Sequence, residues 1–317
     1  MRVAVLGAGA IGSLFGGMLA RTGVKVILIG RKEHVEMIRK RGLKIIEESG
    51  EAFTVRVEAT TNPLEAGKAD TVFLTVKAYD TRRAAMDARP LLKEDSLVVC
   101  MQNGLDTEKE AADVLGKENV FRGVTSEGAQ LVEPGVVRHA GRGESLVGSP
   151  FGISLQRAKS VAEILREAGF NANVTDNIER EVWGKALVNA GINPIGAITG
   201  LRNGEILEHP PLLEVMKKLI AEGKKVAKKH NITLTEDPFT KAVKIAEMTA
   251  TNKNSMLQDI EKGKKTEIDY INGAIVAYGK RYNVKTPVNF TVTAIIKTLE
   301  TKAHQRKGVI SNEAERN

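Results

Sequence analysis

Lys185, Asn189 and Asn193 recur at four-residue spacing within WGKALVNAGINPIGAITG, residues 183–200. On an α-helix that spacing sets all three on one face, with about 40° of drift per step. The residues between them are apolar: Ala186, Leu187, Val188, Ala190 and Ile192. An exposed helix carries more charge and a core helix less polarity, so the row suits a site that holds a small polar anion. A second stretch, TNKNSMLQDIEKGKKTEIDYINGAIV (251–276), sets Asn252, Ser255 and Glu267 among Met256, Leu257, Ile268, Ile271 and Ile275. Taken singly, Ser255 and Glu267 read as helix-capping residues. Taken with Lys185, they supply one acid, one carboxylate and several neutral hydrogen-bonding groups, which is what reduction of a carbonyl requires.

The elements that must serve such a set begin at the N-terminus. After Met-Arg come eighteen uncharged residues, VAVLGAGAIGSLFGGMLA, five of them glycine. That composition is poor for a membrane helix or a signal peptide. It fits a short buried strand (RVAVLG), a G-x-G-x-x-G turn at Gly7, Gly9 and Gly12, and a helix to about Thr22, with a second strand at 24–30. In that context the first glycine permits the tight turn and the second lets backbone approach a pyrophosphate. The third allows close helix–strand packing, and the helix start around Ala10 and Ile11 offers unpaired N–H groups to phosphate oxygens. Arg31 and Lys32, nineteen and twenty residues after Gly12, stand where an NAD-selective site places a carboxylate. Two cations suit a 2′-phosphate, which favours NADP(H), with NAD(H) as the alternative because Glu33 dilutes the signal.

Further buried strands are expected around 71–76 and 96–101, ending in Lys77 and in Gln102-Asn103-Gly104. Carboxyl ends of strands line the ligand crevice in open α/β sheets, although Asn-Gly is also an ordinary turn. Residues 127–148 read as extended segments added antiparallel to the sheet, with His139 structural, and 171–176 as a last strand. From about Asp176 the rhythm becomes helical, at 178–198, 211–230, 238–262, 267–282 and 288–302, followed by a frayed tail. The expected organisation is therefore a dinucleotide-binding α/β domain over 1–175 and an all-α domain over 176–317. The charge of +8, from 47 basic and 39 acidic residues, is dispersed and aromatic residues are only 4%, which argues against a nucleic-acid platform and for a bias toward small anions. A single cysteine, Cys100, excludes an internal disulfide and a multi-cysteine zinc site, so no metal is expected. No other stretch suggests a membrane span, so a cytoplasmic protein is expected.

With these blocks in view, the chain resembles the ketopantoate reductases over nearly its whole length. The resemblance rests on the N-terminal fingerprint, MQNGLDTEKEA, WGKALVNAGINPIGAITG and NSMLQDIEKGKKTEIDYINGAIV. It implies a Rossmann-type domain followed by a helical domain like the C-terminal domain of 6-phosphogluconate dehydrogenase, a homodimer, and reduction of ketopantoate to pantoate on the way to pantothenate and coenzyme A. It implies Lys185 as general acid and Glu267 as the other principal catalytic residue. Asn189, Asn193, Asn203, Asn252 and Ser255 fall on substrate-binding positions, Ser255 on the substrate carboxylate. Asn103 and Lys77 match positions near nicotinamide and substrate. Two rivals are a related two-domain dehydrogenase for another 2-oxo or 3-hydroxy acid, and a nucleotide-sensing protein without turnover, which would need no Lys185/Glu267 pair.

Overall fold

The first strand, β1 (Arg2–Leu6), alternates its side chains between two apolar environments, because neither face of it meets water. Val3 and Val5 join one buried cluster with Leu14, Phe15 and Leu165, while Ala4 and Leu6 join another with Ala84, Leu91 and Ala111. The structure is a computed structural model describing residues 1–153 and 155–314, with side chains as far as Lys302. The chain divides into two compact units: Met1–Gln102 with Asp106–Ile178, and Asn103–Leu105 with the chain from Glu179 onward.

In the first unit β1 is followed by α1 (Ala10–Arg21), β2 (Lys25–Ile29), α2 (Lys32–Arg41), β3 (Leu43–Ile46), β4 (Ala52–Val55) and β5 (Glu58–Thr60). Then come β6 (Ala69–Leu74), α3 (Thr81–Ala88), β7 (Leu92–Cys100), α4 (Thr107–Leu115) and β8 (Val120–Thr125). The unit closes with β9 (Gly128–Glu133), β10 (Val136–Gly141), β11 (Glu144–Gly148), α5 (Leu155–Glu167) and β12 (Asn171–Val174). Eight strands form one sheet in the order β12-β11-β8-β7-β6-β1-β2-β5. β5 through β8 in that order are parallel, β11 runs antiparallel to β8, and β12 is parallel to β11. Strand order reverses between β1 and β6, the point at which an open α/β sheet leaves a crevice beyond its strand ends.

The segments expected as antiparallel additions to this sheet divide differently. β11 does join it, but β9 and β10 form a hairpin in a separate four-stranded sheet, β4-β3-β10-β9, in which β10 lies parallel to β3. The extended segments and the Pro134-Gly135 turn mark a hairpin but cannot say which edge it joins. His34 on α2 braces this arrangement: its Nδ1 accepts the Gly135 N–H at 2.9 Å and its Nε2 faces Ser13 Oγ at 2.9 Å. Those partners require the neutral ring, and burial lowers its pKa.

His139, on β10, is fully buried with Glu127 Oε2 2.5 Å from Nε2 and Glu47 Oε2 3.3 Å from Nδ1. The Glu127 hydrogen bond holds its pKa above the usual 6.5 against the opposing effects of burial and of Arg142. The folded state therefore binds the proton more tightly than the unfolded chain. The stability this provides is complete below about pH 6.5 and is lost as pH rises through the raised pKa. Urea midpoints from pH 5.5 to 9 should show His139→Gln farthest below wild type at the acid end, with the gap narrowing upward. A gap independent of pH would mean that the ring only fills space.

The second unit contains α6 (Ile178–Thr199), α7 (Asn203–Leu207), α8 (Pro210–Lys229), α9 (Pro238–Met248), α10 (Ser255–Glu261), α11 (Asn272–Arg281) and α12 (Pro287–Ala314). α7 occupies a stretch expected only as a break. The single helix expected over 238–262 is two, because Asn254 caps a new start by accepting the Leu257 N–H at 3.0 Å. The tail expected to fray from 303 is helical to Ala314, and residues 315–317 lie outside the described residues. Val188, Ile192 and Ile195 of α6 pack on Met216, Leu219 and Ile220 of α8, Ala242 and Ala246 of α9, and Val292 of α12. Trp183 meets Tyr278 edge-on at 5.2 Å and lies 5.7 Å from His230, which pins the first half of α6 to α11 and the end of α8.

Candidate active site

The dinucleotide fingerprint sits at the carboxyl end of β1. Gly7 has φ +109°, and a Cβ there would lie 2.5 Å from the Val76 nitrogen. A Cβ on Gly12 would lie 2.4 Å from the Gly7 oxygen and 2.5 Å from Thr75 Oγ1, so β1, β6 and α1 approach as closely as backbone permits. Gly9 differs: it is exposed, and a Cβ there would meet only the Gly7 oxygen, 3.8 Å away. α1 starts from Gly9 with no side-chain cap and no acidic residue in its first turn, at Ala10, Ile11 and Gly12. An uncapped, anion-favouring helix start beside open space fits a pyrophosphate.

Other strand ends contribute to the same edge of the sheet. Arg31, exposed, precedes α2 two residues beyond β2, and its carbonyl accepts the Val35 N–H at 3.0 Å. Lys32 is exposed and 3.9 Å from Glu36. Lys77, half-buried, follows β6 and opens the 3-10 turn Ala78–Asp80. Thr75, two residues earlier, was not singled out in the sequence; its hydroxyl donates to the Gly7 carbonyl at 2.8 Å and fastens β6 to the fingerprint.

Asn103, three residues beyond β7, belongs to the second unit, where its Nδ2 donates to Glu267 Oε2 at 3.3 Å. Leu105 N–H donates to the Tyr270 carbonyl at 2.9 Å, and Gly104 (φ +92°) leaves room for Tyr270, whose carbonyl a Cβ would approach to 2.6 Å. Asn103-Gly104 is thus a bend in the chain that packs on the segment Glu267–Tyr270 of the same unit. Glu267 is buried and precedes the 3-10 turn Ile268–Tyr270 without a side-chain capping bond, so its carboxylate is directed to Asn103 rather than to a helix start.

Lys185, Asn189 and Asn193 all lie on α6, the first two half-buried and Asn193 buried. Asn203 begins α7: its N–H donates to the Asn252 carbonyl at 3.0 Å and its Nδ2 to Thr249 Oγ1 at 2.9 Å, while its buried Oδ1 has no hydrogen-bond partner among the described residues. Asn252 and Ser255 are exposed, and Ser255 is the first residue of α10, capped by Asn254 and not by itself. Among the predicted residues, Asn103 thus meets Glu267 and Asn203 meets Asn252. Among the described residues no group of three or more His, Cys, Asp or Glu could hold a metal ion, and no helix is long and apolar enough to cross a membrane.

Sequence reasoning passed over Arg122 and Glu108. Arg122, on β8, is nearly fully buried; its Nη1 donates to the Cys100 carbonyl at 2.8 Å and its Nη2 to the Gln102 carbonyl at 2.7 Å. Its Nε stands 3.3 Å from Glu108 Oε2 on α4. Gln102 in turn donates from Nε2 to Thr81 Oγ1 at 3.1 Å, and Thr81 donates to the Ala78 carbonyl at 2.7 Å. One network therefore ties the segment ahead of Asn103 to the turn behind Lys77. A lone arginine in an apolar strand was the available signal.

Both parts of the chain are similar to known proteins. Residues 3–174 match the family Ketopantoate reductase PanE/ApbA, and residues 177–300 match Ketopantoate reductase PanE/ApbA C terminal. The 2-dehydropantoate 2-reductase of Pyrococcus horikoshii is 41% identical over 302 residues, covering 95% of this chain and 98% of that one. The 2-dehydropantoate 2-reductase of Archaeoglobus fulgidus is 40% identical over 305 residues, covering 95% and 98%. A PanE/ApbA family ketopantoate reductase from Ralstonia eutropha JMP134 superposes with a TM-score of 0.89 at 33% identity, over 96% of this chain and 100% of its own. A D-mandelate dehydrogenase solved with NADH and anilino(oxo)acetate superposes with a TM-score of 0.90 at 30% identity, over 96% and 100%.

Proposed function

The chain belongs to the ketopantoate reductase family and is an oxidoreductase, and from this we propose that it reduces ketopantoate to pantoate with NAD(P)H, in the cytoplasm, as a step toward pantothenate and coenzyme A. The observation that carries the reading is the composition of one unit: a half-buried lysine in register with two amides on α6, and Asn103 hydrogen-bonded to a buried Glu267. In this reading residues 1–175 hold the cofactor and 176–317 the substrate and the dimer contacts.

When bound, NAD(P)H supplies the hydride that reduces the carbonyl carbon. Gly7, Gly9, Ala10, Ile11 and Gly12 hold the pyrophosphate, Arg31 the 2′-phosphate, and Lys77 and Asn103 the nicotinamide end. Lys185 Nζ donates a proton to the ketone oxygen, and its positive charge stabilises the negative charge that develops there. Asn189 and Asn193 bond the substrate without adding charge that competes with the lysine. Ser255 holds the carboxylate end, and Asn252 and Asn203 make further contacts to the substrate. Glu267 accepts from the substrate hydroxyl, and Asn103 Nδ2 fixes the carboxylate's orientation for that purpose. The balance is ketopantoate + NAD(P)H + H⁺ → pantoate + NAD(P)⁺, with Lys185 reprotonated from solvent.

The test is ketopantoate-dependent oxidation of NADPH and NADH, followed by absorbance. Arg31→Ala should raise the NADPH KM by about tenfold and leave the NADH KM within about twofold, because only NADPH presents a phosphate to a bidentate guanidinium. An equal rise for both would place the selectivity elsewhere. The likeness to D-mandelate dehydrogenase supports a second reading, reduction of another 2-oxo acid with NADH. A panel of 2-oxo acids decides between them: the second reading holds if an aryl 2-oxo acid is turned over at least as well as ketopantoate.

A further inference from the structure

Pro194 interrupts α6 one residue after Asn193. A proline has no N–H, so the carbonyl four residues earlier, that of Ala190, loses its helical donor. Ala190 is fully buried, where a bare carbonyl is costly and water cannot replace the donor. The structure fills this gap from another element: Asn272 Nδ2, at the first residue of α11, donates to the Ala190 oxygen at 3.1 Å.

The same Nδ2 also donates to Asn289 Oδ1 at 3.0 Å. Asn289 Nδ2 donates onward to the Leu219 carbonyl at 3.0 Å and to Glu222 Oε2 at 2.7 Å. Glu222 receives the N–H groups of Val288 and Asn289 at 2.9 and 3.0 Å, at the start of α12, where a carboxylate is favoured. Both acceptors around Asn272 Nδ2 demand a donor, so the amide cannot be turned over, and Asp could not replace it. Asn272 and Asn289 are fully buried.

We propose that Asn272 is a positioning residue for the reaction: it replaces the hydrogen bond that Pro194 removes and so fixes the part of α6 that carries Lys185, Asn189 and Asn193. Asn272 also stands five residues after Glu267, across one 3-10 turn. A single side chain therefore sets the lysine-bearing helix against the segment that carries the carboxylate. The inference rests on the ketopantoate reading for its kinetic consequence, but not for its structural one.

The test is a cycle of four proteins: wild type, Asn272→Leu, Pro194→Ala and the double variant. Alanine at 194 returns a backbone N–H to the Ala190 carbonyl, so it should make Asn272 dispensable for α6, although Asn289 Oδ1 still loses its donor in the double variant. In Asn272→Leu, hydrogen-exchange protection across residues 185–196 should fall about tenfold more than elsewhere in the second unit. The ketopantoate KM should rise by a similar factor while the NADPH KM stays within about twofold. The double variant should recover to within about threefold of Pro194→Ala in both readouts. Uniform loss of protection with unchanged ketopantoate KM would make Asn272 an ordinary core residue and overturn the proposal. Failure of Pro194→Ala to restore the local protection would overturn it equally. If Asn272→Leu is insoluble alone, a soluble double variant supports the proposal and an insoluble one refutes it. Wild type that ignores ketopantoate would sink the substrate reading, and the exchange cycle would still decide the role of Asn272.

Discussion

Lys185→Ala should lower kcat/KM for ketopantoate by about a hundredfold or more, with the NADPH KM nearly unchanged. The lysine lies two residues after Trp183, which packs on Tyr278 and His230 and so fixes where its stem leaves α6. Truncation removes both the proton donor and the positive charge near the developing alkoxide, two contributions that one variant cannot separate. Lys185→Arg separates them: it retains the charge, but a guanidinium does not release its proton at neutral pH. General-acid catalysis therefore predicts that arginine is nearly as damaging as alanine. Substantial activity in Lys185→Arg would make the lysine an electrostatic group only. Normal turnover in Lys185→Ala would mean that the polar row on α6 serves the fold, and the mechanism would fall. Thermal midpoints should change little in either variant, since the side chain is half-buried.

Arg122→Met should destabilise the protein by about 3–5 kcal/mol, the loss expected when one partner of a buried ion pair is removed. Two separate injuries follow from it. The Cys100 and Gln102 carbonyls lose their donors, and Glu108 is left buried without its cation. Burial already raises the Glu108 pKa and Arg122 opposes that rise, so without the guanidinium the carboxyl retains its proton to higher pH. A folded state that binds a proton more tightly than the unfolded chain gains stability as pH falls. The deficit of Arg122→Met should thus be smaller at pH 5.5 than at pH 8. Adding Glu108→Leu should recover a large part of it, because an apolar pair demands no compensation. Equal and independent losses for the two substitutions, read from urea denaturation, would deny the coupling. The peptide whose carbonyl Arg122 holds also carries the Asn103 nitrogen, and a planar peptide passes that constraint on. Residual folded Arg122→Met should therefore show a raised ketopantoate KM.

Short-range patterns were legible in the residues alone. Continuous apolar, β-branched runs identified β1, β2, β6 and β7, three glycines at fixed offsets marked the turn into α1, and four-residue spacing set Lys185, Asn189 and Asn193 on one helix face. Each of these is a property of neighbouring residues, decided by sterics, capping and periodicity within a turn or a strand. Helix boundaries were less legible where capping competes: Asn254 starts a helix inside what periodicity reads as one, and α7 hides in a glycine-flanked break.

Pairings over long separations had no local signature. Asn103 meets Glu267 across 164 positions, and an asparagine followed by glycine reads equally well as a plain turn. Nothing near β9 and β10 says that they leave the main sheet for β3 and β4. The partner of Arg122 could have been any acidic residue until α4 was packed beside β8. Residue types and periodicity along the chain thus determined which groups could do chemistry and which elements bear them. The satisfaction of buried polar atoms was settled only on folding, as with Asn272 supplying the donor that Pro194 withholds, because a desolvated carbonyl takes its donor from whichever element packing brings within reach.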